Sequence, residues 1–284
     1  MQASRRAFLT GGAALASDWG RFCLRLARSV RGALDDLSQP GLPGFARLRA
    51  ACAEDLRHAL AICADSGVRV SAHAPSRPSP HPTVQFDVSA LAAIRRDGAL
   101  LHVEPGARVD AVRACLPHAC PGTAPQASVL DWLADPQMHG WPSLQCARSG
   151  LVDADVLLAD GAAQYLGAFG SQSAAPALRG DASRIVSRLF VLSREPALAG
   201  WLAAPAWPMR FRLDALRQAE PNLAYLLLGG AGALAWPERV RLRAVDPHVP
   251  PARPGGHPGA SALDTEVKRA FDPHGRLIEG LPVV

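Results

Sequence analysis

The stretch DADVLLADGAAQYLGAFG, residues 153–170, is the strongest folding instruction in this sequence. An apolar run leads into Asp160-Gly161 and returns through Tyr165 and Leu166. Asp-Gly favours a tight turn whose left-handed backbone matches the twist of two antiparallel strands, so the chain must hold an antiparallel sheet. Around it, helix and strand patterns alternate. AEDLRHALAICADSG sets Leu56, Ala59, Leu60 and Cys63 at helical spacing, with Glu54 and Asp55 near its start and Gly67 as its stop. VRVSA follows as a strand. TVQFDVSAL, ALLHVEPGA and RVDAVRACL read as strand, strand with turn, and helix. NLAYLLLGGAGALAWPERVRLRAV gives an apolar segment, a glycine-rich loop and a strand in which Val240, Leu242 and Ala244 alternate with arginines. A hairpin set within helix–strand alternation makes the chain α+β.

Charge excludes one function class. The net charge of +5 comes from the first 34 residues, which hold six of the 30 basic and one of the 25 acidic side chains. The remaining 24 of each sign leave the body neutral, so no basic surface for nucleic acid is expected. Lys268 is the only lysine. No run reaches the roughly 18 apolar residues of a membrane span; Leu223 to Trp236 comes nearest and holds three glycines.

SRRAFLTGGAALAS, residues 4–17, resembles a twin-arginine export signal. It runs directly into DWGRFCLRLARSVRG, a basic amphipathic helix. Either an exported leader or a first helix of the folded protein satisfies this pattern. The first places the protein in the periplasm, the second in the cytoplasm or against the inner membrane. The six cysteines show no paired zinc spacing, and Cys52 and Cys63 read as small buried residues of a helix. The tail DTEVKRAFDPHGRLIEGLPVV reads as a capped helix from Asp264, an Asp-Pro stop and an apolar segment that docks.

In order along the chain stand Asp87-Val88-Ser89-Ala90-Leu91, Val103-Glu104-Pro105-Gly106, Leu157-Leu158-Ala159-Asp160-Gly161, Gly229-Gly230-Ala231-Gly232-Ala233-Leu234-Ala235 and Phe271-Asp272-Pro273. Their sequence and order resemble the FAD-binding domain of the p-cresol methylhydroxylase (vanillyl-alcohol oxidase) type, and among its members the flavin-linked oxidases of glycolate and D-lactate. The resemblance implies a two-subdomain α+β fold that holds FAD. It divides the chain into a leader or amphipathic helix over 1–37, the FAD-binding domain over 38–248, a linker over 249–263 and a docking helix and tail over 264–284. The linker stands where the family inserts its substrate-binding cap domain.

Carried onto this chain, the cofactor contacts fall on Ser71, His73, Ala74 and Ser76 in a first loop. Ala127, Ser128, Asp131 and Trp132 form a second, and Gly229, Gly232 and Ala233 a third. Such loops bind pyrophosphate because glycine lets backbone N–H groups converge on anionic oxygens. Here the first loop has no glycine. In the second, Leu130 and Asp131 replace two, and a carboxylate there repels pyrophosphate unless it is protonated or paired. Glu279-Gly280 replaces the family's Asn-Pro-Gly.

His102 reads as a strand residue facing solvent or a partner, the tryptophans read as core or interface anchors, and neither a hydrolase elbow nor a Walker motif is present. No catalytic base stands out. Two functions stay open. One is an FAD-binding oxidoreductase-like protein, a flavin subunit of a larger oxidase acting on a small 2-hydroxy acid. The other is a flavin-free pseudoenzyme that serves as an assembly module beside an active paralogue.

Overall fold

A computed structural model describes residues 17–73, 79–169, 178–204, 207–247 and 259–278. Apart from Ser17, the twin-arginine stretch lies outside the described residues, as do Ala74, Ser76, residues 249–258 of the linker and Glu279-Gly280.

Two five-stranded sheets organise the chain. The first contains β1 (Ala33–Asp36), β2 (Phe45–Arg49), β3 (Arg69–Ser71), β4 (Thr83–Asp87) and β10 (Leu277–Ile278), ordered β1-β2-β4-β3-β10. Its strands are parallel except β1, which pairs antiparallel with β2. The parallel pairs need crossovers. Helix α2 (Ala53–Ser66) supplies one and ends where Gly67 takes the left-handed conformation at φ 67°. The second sheet is antiparallel throughout. It contains β5 (Ile94–Asp97), β6 (Leu100–Val103), β7 (Leu151–Leu157), β8 (Ala163–Leu166) and β9 (Trp236–Arg243), ordered β5-β6-β9-β7-β8.

The β7–β8 pair is the expected hairpin, turning at Asp160-Gly161. A Cβ on Gly161 would stand 2.9 Å from the Arg57 carbonyl oxygen, so glycine lets the turn press against α2. Strand β9 pairs with β7 through two register shifts, one beside Pro237, which cannot donate to the ladder. Arg57 on α2 grips Glu238 of β9 with two 2.8 Å bonds, and Phe86 of β4 meets Trp236 edge-on. These contacts join the two sheets across one core.

Helix α1 (Asp18–Ser29), capped by Ser17, buries Phe22 and Leu26 in that core. Strand β1 falls inside 1–37, so part of the segment read as leader or helix belongs to the first sheet. Cys52 is the N-cap of α2 rather than a residue within it, and Cys63 is buried. Ala244 lies exposed past the end of β9. His102 is largely buried, with Nε2 3.6 Å from Asp97, because the β5–β6 hairpin closes over it. Trp132, Trp141, Trp207 and Trp236 are fully buried anchors.

Helix α7 (Ala260–Phe271) begins four residues before the expected Asp264. Asp264 therefore does not cap α7. Its carboxylate accepts the backbone N–H groups of Arg210 and Phe211 at 2.9 and 3.0 Å, capping a distant turn.

Candidate functional site

The three segments expected to hold a cofactor converge. His73, two residues past β3, reaches Asp131 with Nε2 2.7 Å from Oδ1. The glycine-rich segment packs on both: Gly229 donates its N–H to the Leu133 carbonyl at 2.8 Å, and a Cβ on Gly232 would come within 3.1 Å of the Ala72 Cβ. Gly229 and Gly232 hold φ at 85° and 73°, which ordinary residues avoid. Ser71 ends β3 and is buried, Ala127 precedes the helix cap, and Trp132 is wholly enclosed with His139 edge-on at 5.3 Å.

The second segment is not an open loop. Ser128 caps helix α4 (Val129–Ala134), and Asp131 completes a capping box by accepting the Ser128 N–H at 2.7 Å. The Ser-x-x-Asp spacing is a helix-start signature, which explains why glycine is absent here. Burial alone would raise the Asp131 carboxyl. Hydrogen bonds from His73 and from the Ser128 backbone and hydroxyl more than offset this and hold it below the ordinary carboxylate value. The carboxylate expected to repel an anion is therefore paired.

Following each backbone donor shows how closed the junction is. Ala127 donates to Ala124, Ser128 to Asp131, Val129 to Ala107, Leu130 to Pro105, Asp131 to the Ser128 hydroxyl and Trp132 to the Ser128 carbonyl. In the third segment, Gly229 through Leu234 likewise all donate to carbonyls of the chain. No amide of either stretch is left for pyrophosphate oxygens, so binding through glycine amides does not fit these two segments. Side chains retain capacity. Among the described residues, Ser71 Oγ, His73 Nδ1 and Trp132 Nε1 are buried and have no hydrogen-bond partner, as is also true of His102 Nδ1, Thr123 Oγ1 and Trp236 Nε1 elsewhere.

The tail seals the third segment. Lys268 donates to the Ala233 carbonyl at 2.7 Å, the Leu277 carbonyl at 2.9 Å and Asp272 at 2.5 Å. Asp272, fully buried, also accepts the N–H groups of Arg276 and Leu277. This is the surface onto which the tail docks. The Lys268–Asp272 spacing of four was legible as a helical pair, but its acceptor at Ala233 was not.

Beneath the junction, Arg212 and Asp214 form a buried ion pair at 2.6 Å. Among the described residues no cluster of His, Cys, Asp and Glu could hold a metal, and no helix is long and apolar enough to cross a membrane. Burial pushes the thiols of Cys63 and Cys146 well up, which makes them poor nucleophiles.

No protein-family model matches the chain, and no curated protein sequence does. Solved structures do align with it. One is 4-ethylphenol oxidase from Gulosibacter chungangensis, at 12% identity over 79% of this chain and 42% of that one, TM-score 0.48. A second is the FAD-carrying glucooligosaccharide oxidase from Acremonium strictum, at 15% over 80% and 42%, TM-score 0.44. A third is berberine bridge enzyme from Eschscholzia californica, at 16% over 80% and 38%, TM-score 0.40. The chain spans about two fifths of the length of these structures.

Proposed function

We propose that the chain is an FAD-binding oxidoreductase-like protein whose cofactor site is the junction of the Ser71–His73, Ala127–Trp132 and Gly229–Ala233 segments. The observation that carries this reading is the convergence of all three expected segments, with three buried polar atoms among them, Ser71 Oγ, His73 Nδ1 and Trp132 Nε1, that lack partners among the described residues. A bound flavin would accept a hydride. The chain's own side chains would bind and orient it, with His73 held in place by Asp131. The motif order resembling glycolate and D-lactate oxidases favours a small 2-hydroxy acid as donor and a role as subunit of a larger oxidase.

One observation favours a second reading, a flavin-free module that keeps the fold for assembly, beside an active paralogue. Every amide of the second and third segments is already consumed, and the second carries the Asp131 carboxylate, which meets His73 of the first. Losing several charge-assisted bonds, each contributing about 1.5–3 kcal/mol, would weaken FAD binding by orders of magnitude.

Titration of the purified protein with FAD separates the two. Under the first reading, absorbance at about 450 nm becomes protein-bound and saturates, and His73→Ala weakens binding about tenfold, the loss of roughly 1.4 kcal/mol. A protein that stays colourless at every FAD concentration removes the first reading and leaves the second.

A further inference from the structure

A cleft of about 770 Å³ opens where three segments distant in sequence meet: the β7–β8 turn, the start of helix α5 (Ser183–Leu192) and the turn after α7. Leu158, Ile185 and Phe271 are buried beneath it and fix the segments against one another. Arg179, Arg184, Arg188, Arg269 and Arg276 line it with His274.

Among the described residues, carboxylates do not match Arg179, Arg188, Arg269 and Arg276 one for one. Glu266 alone serves both Arg188 and Arg269. Asp272 borders the cleft but is committed to Lys268 and to two backbone N–H groups. Asp160 accepts the Ala162 N–H of its own turn. The guanidinium groups of Arg179 and Arg276 have no carboxylate or carbonyl partner among the described residues; each is held only through its backbone, Arg179 by Gln164 and Arg276 by Asp272 and Val70. Since the body beyond residue 34 is neutral overall, this excess is a local concentration of charge. A neighbouring cleft of about 580 Å³ shows the contrast. Its four arginines, Arg179 shared with the first cleft among them, stand with the carboxylates of Glu104, Asp155 and Glu238, and its Arg57 and Arg241 are spent on Glu238 and Asp153.

We propose that the cleft between the β7–β8 turn and α7 binds a small multivalent oxyanion, phosphate- or carboxylate-bearing, through Arg179 and Arg276. Planar guanidinium forks present paired N–H donors to such oxygens, and the volume falls in the range of small-molecule sites. Arg269, His274 and Arg276 arrive on the segment that Lys268 clamps, so an anion held here stabilises the docked tail by mass action.

The test is calorimetric titration and thermal shift with pyrophosphate and with citrate, each at constant ionic strength set by chloride. Saturable binding of either is expected, weakened about tenfold by Arg179→Gln or by Arg276→Gln as a charge-assisted contact is lost. Arg95→Gln, on an exposed edge strand, should leave it unchanged. Stronger binding of pyrophosphate assigns a phosphate ligand, and stronger binding of citrate a carboxylate. A response that never saturates, or one that Arg95→Gln reduces as much as the cleft variants do, overturns the proposal.

Discussion

Two pairs of the same reach teach different things. His73 meets Asp131 at 2.7 Å and Arg212 meets Asp214 at 2.6 Å. Arg212 is 1% exposed, and its five N–H bonds all find acceptors: two on Asp214 and one each on the carbonyls of His139, Trp141 and Pro142. Asp214 in turn receives the Leu144 N–H. That pair is closed and serves to pin the 139–144 stretch to the turn at Leu213. The His73 pair is partly exposed and, among the described residues, unfinished, with Nδ1 unclaimed and two further unpartnered groups on the same segments. A buried charge persists only when it is paired and hydrogen-bonded, so the enclosed Arg212 pair is complete, while the partly exposed His73 pair need not be.

The largest test of that contrast is Asp214→Ala, which strands the Arg212 guanidinium in the core. It should cost about 3–5 kcal/mol, read as a fall in denaturation midpoint at unchanged slope. A cost below about 1 kcal/mol would mean that the closed pair is not what holds this region. Next comes Lys268→Met, which removes donors from Ala233, Leu277 and Asp272. About 2 kcal/mol is expected, with hydrogen exchange rising first at β10.

Asp131→Asn should cost only about 1 kcal/mol, and its pH dependence carries the information. The carboxyl is held below its unfolded value, so its contribution is present above about pH 4 and is lost as pH falls through the depressed folded value. The variant should therefore lose less stability than the parent on acidification, and parallel acid limbs would show that Asp131 is not held this way. Smallest of all is Arg25→Gln, which breaks an exposed pair with Asp65 and should shift stability by no more than about 0.5 kcal/mol.

Elements with a local rule were legible. The β7–β8 turn, the Gly67 stop and the amphipathic α1 each follow from residues within one or two turns of themselves. Strand β5, Ile94–Asp97, escaped because an edge strand rich in arginine shows no apolar alternation. The pairing of β1 with β2 escaped because FARLR and ALDD are short and carry little apolar signal. At the site, family resemblance locates the three segments but makes a loop of α4, although its capping box is plain at Ser128-x-x-Asp131. Asp264 was read as the cap of its own helix because capping preference is local, while its true acceptor role lies 53 and 54 residues away. The Arg212–Asp214 closure depends on three carbonyls near residue 140, which no spacing within residues 212–214 announces.

The placement of β10 also bears on how the protein is made. Val70 pairs with Leu277, 207 positions later, in the parallel end of the first sheet. At about 5–20 residues per second of synthesis, the ribosome delivers Leu277 about 10 to 40 s after Val70. Until then β3 is an open sheet edge, whose unpaired backbone groups invite pairing with other chains. The strand that carries Ser71 toward the candidate site is thus completed only once residue 277 has been made, and the nascent chain needs protection at that edge until then.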